Sequence, residues 1–258
     1  MTSTNSTVLV IGATGSIGRH VVSEALQQGY AVKALVRDQA RGAVLPGAVE
    51  LVIGDLTRPE TLDDAVSAID AAVFTHGSTT READVRDIDY AGVANILDAL
   101  DGRRVRIALM TAVGTTRAGV PFAAWKRRSE KLVRASGNDY TIVRPGWFDY
   151  NDADQRRIVM RQGDTDQSGT PADGVIARDE IARVLVDSLC TDAANHKTLE
   201  LAAESGPEQD DLTSCFAALA ADADGALDGA EDTNIVSVDD EPARFREDLR
   251  RCGYTAPR

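Results

Sequence analysis

The chain has 258 residues, 43% of them hydrophobic and 27% charged, which suits a single large α/β unit and excludes a mostly disordered polymer. A net charge of −13 removes the basic face that a nucleic acid or an anionic membrane requires. Three widely spaced cysteines (Cys190, Cys215, Cys252) with no CxxC pair argue against a disulfide frame or a metal site.

Residues 1–7 carry no basic n-region, and no apolar run approaches the roughly 18–20 residues of a membrane helix. The expectation is a cytoplasmic protein, monomer or homodimer, with a small-molecule substrate and no nucleic-acid or membrane partner.

Residues 8–11 form a mostly β-branched run that ends in glycine. Ile17, Val21, Val22, Ala25 and Leu26 follow at helical spacing. Further strands are predicted over residues 31–36, 49–53, 71–74, 105–110 and 141–143. Helices are predicted between them, over residues 61–69, 81–100 and 122–135, the last ended by Ser136-Gly137. Six strands interleaved with helices imply a Rossmann-type doubly wound parallel sheet, with its ligand at the carboxyl ends of the strands.

After Pro145 the pattern loosens. Residues 157–161 and 198–202 read as strands, and residues 179–189, 212–219 and 242–251 as helices. Residues 220–241, rich in Asp, Ala and Gly, read as an exposed acidic loop. We take residues 1–258 as a single unit, in which residues 147–258 supply a small C-terminal substrate lobe and tail.

Gly12-Ala13-Thr14-Gly15-Ser16-Ile17-Gly18 lies between a strand and a helix. A backbone turning there approaches a pyrophosphate closely and aims helix-start N–H groups at it, which side chains at the glycines would block. Gly12, Thr14, Gly15, Ser16, Ile17 and Gly18 are therefore cofactor-binding candidates. The second strand ends at Arg37-Asp38, about 20 residues beyond, where ribose selectivity is set. Arg37 suits the 2′-phosphate of NADP as a planar donor, and Arg19 is placed to add to it. Asp38 either accepts from the ribose of NAD or caps the next helix. NADP (NADPH) is the preferred cofactor, and NAD the lesser alternative.

With Arg19, Arg37, Gly54-Asp55-Leu56, Lys126-Arg127-Arg128-Ser129-Glu130 and Ser136 to Gly146 added to the glycine turn, the chain resembles the short-chain dehydrogenase/reductase superfamily, in its atypical NAD(P)-binding, NmrA-like branch. The resemblance is specific over residues 8–147 and weaker to residue 201. It implies that Asp55 and Leu56 lie against adenine. Thr75, His76 and Gly77 then run beside the adenosine ribose, and the Pro145-Gly146-Trp147-Phe148 turn approaches the nicotinamide.

One departure matters. Conventional members reduce carbonyls with a Ser, and with a Tyr and a Lys four apart on one helix. No Tyr-x-x-x-Lys occurs here. The matching lysine is Lys126, Phe122 stands four residues before it, and Thr111 takes the serine position. Lys126 is read as a ribose-binding or acid–base group, against an ordinary surface pair with Glu130. His76 is either a loop histidine near the adenosine or catalytic. Tyr150 is either the replacement proton donor or a pocket wall. Trp147 and Phe148 form a stacking wall for a flat substrate or part of the lobe core. The catalytic candidates are thus Lys126, Thr111 and Tyr150.

Two functions compete: an NADPH-dependent reductase of a small carbonyl- or quinone-type substrate, and a non-catalytic NADP(H)-binding sensor or regulator. An epimerase that retains its nucleotide is a third, for which the C-terminal segment is short.

Overall fold

The structure, a computed structural model, describes residues 6–78 and 80–254. The N-terminal stretch read above therefore lies almost wholly outside the described residues.

The chain alternates strand and helix from its start: β1 (Thr7–Ile11), α1 (Gly18–Gln27), β2 (Ala31–Val36), α2 (Gln39–Gly42), β3 (Glu50–Ile53), α3 (Asp63–Val66) and β4 (Ala71–Phe74). A helical run then passes from α4 (Glu82–Asp84) through a π-helical turn (Val85–Tyr90) into α5 (Ala91–Leu100). Next come β5 (Arg106–Met110), α6 (Pro121–Ala135), β6 (Asp139–Pro145), β7 (Trp147–Phe148), β8 (Arg157–Arg161) and β9 (Val175–Ile176). The chain closes with α7 (Arg178–Asp187), β10 (Lys197–Glu204), α8 (Thr213–Ala217) and α9 (Ala243–Arg251).

Eight strands form one sheet in the order β3-β2-β1-β4-β5-β6-β10-β8. Every pairing in it is parallel except β8 on β10, which is antiparallel at the edge. Two strands from the loosely patterned second half, β10 and β8, thus extend the sheet itself. Among the described residues no helix is long and apolar enough to cross a membrane.

Strand alternation builds two cores, one on each face of the sheet. Val8, Val10, Ala34, Val73, Val143 and Leu199 point to the face covered by α1 and α7. Leu9, Ile11, Leu35, Phe74, Ile107 and Ile142 point to the other, covered by α3, α5, α6 and α9. Burying each of the Val, Leu, Ile and Phe side chains among these is worth about 1.5–3 kcal/mol. The order reverses at β1, with β2 on one side and β4 on the other, so a crevice opens beyond the carboxyl ends of these strands.

The acidic segment over residues 220–241 is irregular, as read, but it is not a free loop. Asp222, Asp228, Asp232 and Glu241 dock on a cationic face made by α6 and β6. Arg134 meets Asp222 at 3.1 Å and Arg127 meets Asp228 at 2.8 Å. Lys131 meets Glu241 at 3.1 Å, and Arg144 meets Asp232 at 2.6 Å. The expectation of exposure holds for much of the segment but fails at these four acids, whose carboxylates add counter-charge to cations held on α6 and β6.

Candidate functional site

The glycine turn sits where β1 hands over to α1. Gly12 has φ +87°, and a Cβ there would come within 2.6 Å of the His76 backbone nitrogen. A Cβ on Gly18 would overlap the Gly12 carbonyl oxygen. Both positions therefore require glycine for close packing of turn, strand and helix. Among the described residues no side chain caps the start of α1, where the Arg19 N–H donates to the Gly15 carbonyl at 3.1 Å.

A cavity of about 660 Å³ runs across the strand ends above this turn. Gly12, Thr14, Gly15, Ser16 and Ile17 form its floor, and Asp55, Leu56, Thr75, His76 and Gly77 its walls. Gly18 lies buried beneath, as the packing element of the turn.

Arg37 lines one end of the cavity, together with Arg41, a residue the sequence reading missed. Of the two roles proposed for Asp38, the structure shows the helix cap. Its Oδ1 accepts from the Arg41 backbone N–H at 2.9 Å, and its carboxylate lies 3.3 Å from the Arg41 guanidinium. It caps α2 and holds Arg41, leaving two arginines at that end of the cavity. The available signal was an Asp N-cap followed three residues later by an arginine.

Asp55 accepts from the Thr57 backbone N–H at 2.9 Å and from its hydroxyl at 2.8 Å, which hold its carboxyl below the ordinary range. The Leu56 carbonyl accepts from Asn95 at 2.6 Å, and this pins the loop after β3 to α5.

The far end is lined by His76, Ile88, Met110 and Phe148. Trp147 and Phe148 pair as β7 with Val175 and Ile176 of β9, so Phe148 is set at the rim by backbone pairing. Pro145 and Trp147 do not line the cavity. Tyr150 is 62% exposed and stacks edge-on against Trp147 with ring centroids 5.8 Å apart. It stands outside the cavity, which removes the geometric basis for Tyr150 as proton donor.

Lys126 and Thr111 line a smaller crevice beside the far end, with His76, Asp89, Met110 and Ser129. Lys126 Nζ lies 2.8 Å from Asp89 Oδ2, so the alternative of a surface pair with Glu130 does not form. Glu130 is instead fully buried. It accepts from the Thr111 hydroxyl at 2.7 Å and binds Arg144 at 2.6 Å. Burial opposes its ionisation, but Arg144 and Arg134 outweigh that and keep its carboxyl below the ordinary range. Phe122 is half-buried against the core on the α6 face of the sheet. His76 Nε2 lies 3.0 Å from the Asp89 carbonyl oxygen, and burial holds the imidazole pKa below its ordinary value. Asp89, absent from the sequence reading, reaches this point on the π-helical turn.

A family model described as NAD(P)H-binding matches residues 12–192. The photosystem II assembly factor Ycf39 of Cyanophora paradoxa is 30% identical over 202 residues, 75% of this chain and 62% of that protein. A solved protein from Bacillus halodurans, provisionally named an NAD-dependent epimerase/dehydratase, is 25% identical with a TM-score of 0.67, covering 78% of this chain and 96% of that one. The anaerobilin reductase ChuY of Escherichia coli O157:H7 shares the fold at 20% identity and a TM-score of 0.62, over 76% of this chain and 97% of its own.

Proposed function

The chain belongs to the NAD(P)H-binding family and is like the atypical short-chain dehydrogenases/reductases, and from that premise we propose that it is an NADPH-dependent reductase of quinone- or flavin-type ring acceptors. The observation that carries this reading is the one continuous cavity that joins the glycine turn, two arginines and an aromatic rim.

The glycine floor fits a dinucleotide, because its Cβ-free surface leaves room for a pyrophosphate and its helix-start N–H groups supply donors. Arg37 and Arg41 hold a 2′-phosphate as paired fork donors. Leu56 offers an apolar surface to adenine, and Phe148 screens the far end from water. Bound there, NADPH supplies a hydride.

The acceptor class follows from what the chain does not offer. Phe122 has no proton to give. The Thr111 hydroxyl spends its hydrogen on Glu130. A simple ketone turning into an alkoxide needs a proton from a positioned donor as the hydride arrives. A quinone or flavin spreads the incoming charge over its ring and tolerates a weaker donor.

Oxidation of NADPH tests this against naphthoquinones, free flavins and simple ketones. Turnover with ring acceptors and little with ketones is expected, and Phe122→Tyr should open ketone reduction. No turnover with any acceptor defeats the reductase reading.

A second reading, an NADP(H)-responsive binding protein, is favoured by the Asp89 carboxylate that ties up Lys126, and by the relative named as an assembly factor. It requires unequal affinity for NADP⁺ and NADPH, because equal affinity shifts no equilibrium. Calorimetry with each nucleotide separates the two readings.

A further inference from the structure

The last helix, α9, divides its arginines between two tasks. Phe245 and Leu249 anchor it in the core, and the Tyr90 hydroxyl donates to Asp248 at 2.5 Å. Arg251 meets Asp98 at 2.7 Å and Arg244 meets Asp87 at 3.5 Å, which ties the helix to its neighbours. Arg246 and Arg250 are held differently. The Asp239 carbonyl accepts from Arg246 at 3.1 Å, and the Arg246 carbonyl accepts from Arg250 Nε at 3.2 Å. Among the described residues no carboxylate forms an ion pair with either one. Backbone carbonyls thus fix two guanidinium groups without neutralising them.

These two arginines line an open groove of about 700 Å³ with Val238, Ala243, Leu249 and Tyr254. None of its lining residues lines the dinucleotide cavity. Ala243 to Arg250 covers about two helical turns, so the groove runs roughly 10 Å along α9. Arg246 and Arg250 stand four residues apart, on one side of the helix. The chain as a whole carries −13, yet α9 sets four arginines against Glu247 and Asp248 alone. An acidic ligand is repelled by the chain as a whole and attracted here. Asp239 is the one acid among the lining residues, and it disfavours a carboxylate on the Val238 side of the groove.

We propose that this groove docks an acidic amphipathic helix of a partner protein. Apolar side chains of that helix pack on Val238, Leu249 and Tyr254, and two carboxylates one turn apart meet Arg246 and Arg250. The apolar floor supplies the burial, and the arginines select charge and register. Core packing and ion pairs order α9 before the partner arrives, so docking costs little on this side. Because the groove shares no residue with the dinucleotide cavity, the docking surface stands whether or not the chain is a reductase.

Fluorescence anisotropy on the intact chain tests this with a labelled helical peptide of about 16 residues, leucines on one face and two glutamates one turn apart beside them. Its counterpart carries glutamines in place of the glutamates. The glutamate peptide should bind at least about tenfold more tightly, and the difference should shrink as salt rises. Combining Arg246→Gln with Arg250→Gln should erase that difference, while combining Arg246→Lys with Arg250→Lys should keep part of it. The comparison of the two peptides on the wild-type chain needs no variant, so a poorly folded variant leaves the proposal testable. No binding at about 1 mM peptide, or equal affinity for the two peptides, overturns it. A difference that survives in a folded double glutamine variant moves the contact away from α9 and overturns it as well. If sedimentation shows a wild-type dimer that this variant dissociates, the groove belongs to a second copy of the chain and the partner helix is refuted.

Discussion

Replacing Arg144 by Met tests the buried charge network that supports the far end of the cavity. Arg144 is fully buried and meets Glu130 at 2.6 Å, Asp232 at 2.6 Å and Glu200 at 3.1 Å. Removing the cation leaves Glu130 and Asp232 buried without their main partner, and breaking such a pair costs about 3–5 kcal/mol. Arg134 remains 3.5 Å from Glu130, and the stranded carboxyls are free to take up protons, so the lower figure applies. At roughly 2–4 °C per kcal/mol for a chain of this size, a loss of about 3 kcal/mol lowers Tm by about 6–12 °C. The sign with pH follows from the native carboxyls. Burial opposes ionisation of Glu130 and of Asp232, but Arg144 overrides it and holds both below their ordinary values. Their stabilisation is therefore present above the ordinary carboxylate range and is lost only as pH falls through the lowered values. The deficit of the variant is then largest near neutral pH and shrinks toward about pH 5 as its stranded carboxyls protonate. Circular-dichroism melts at both pH values read this directly. A fall in Tm below about 2 °C, or a deficit independent of pH, refutes the network as a stabilising element. Adding Glu130→Gln to Arg144→Met should restore part of the loss, since it removes a stranded charge.

Arg37→Ala should weaken NADPH binding roughly tenfold and leave NADH almost unchanged, measured by calorimetry; the figure is the low end for a charge-assisted bond, because Arg37 is exposed and Arg41 remains. Gly18→Ala sets a methyl group against the Gly12 carbonyl and forces the turn open, so NADPH affinity should fall on the order of tenfold or more while the far-UV spectrum persists. Burial pushes the Glu200 carboxyl up to about 7 in spite of Arg144. An acid raised on folding loses stability as pH climbs from its ordinary value to the raised one, so Glu200→Gln should flatten the urea-stability profile between about pH 5 and 7.

The sheet was legible because its signals are local. A β-branched run before a glycine turn, and apolar residues at helical spacing after it, locate β1 and α1 without tertiary information. The residues 12–18, 37, 55–56 and 75–77 converge because all lie at carboxyl ends of parallel strands, as that topology demands. What escaped notice depends on contacts distant in sequence. Asp89 looks like one polar residue in a helical pattern, and only the π-helical turn sets its carbonyl against His76. The acidic segment looked solvated because a charge run usually is. A signal was present, since Arg127, Lys131 and Arg134 recur at spacings of four and three on one face of α6, a cationic stripe that needs an acidic cover. Tyr150 was misplaced for a similar reason. Proximity to Phe148 in sequence carried no information about direction, and the Asp149 backbone, at φ +56°, precedes a Tyr150 that lies out in solvent.

Calorimetric titration of the intact wild-type chain with NADPH and with NADH tests the central claim most directly. The two-arginine cavity predicts one NADPH per chain, bound about tenfold or more tightly than NADH. Failure of both nucleotides to bind, or NADH binding as tightly as NADPH, contradicts it.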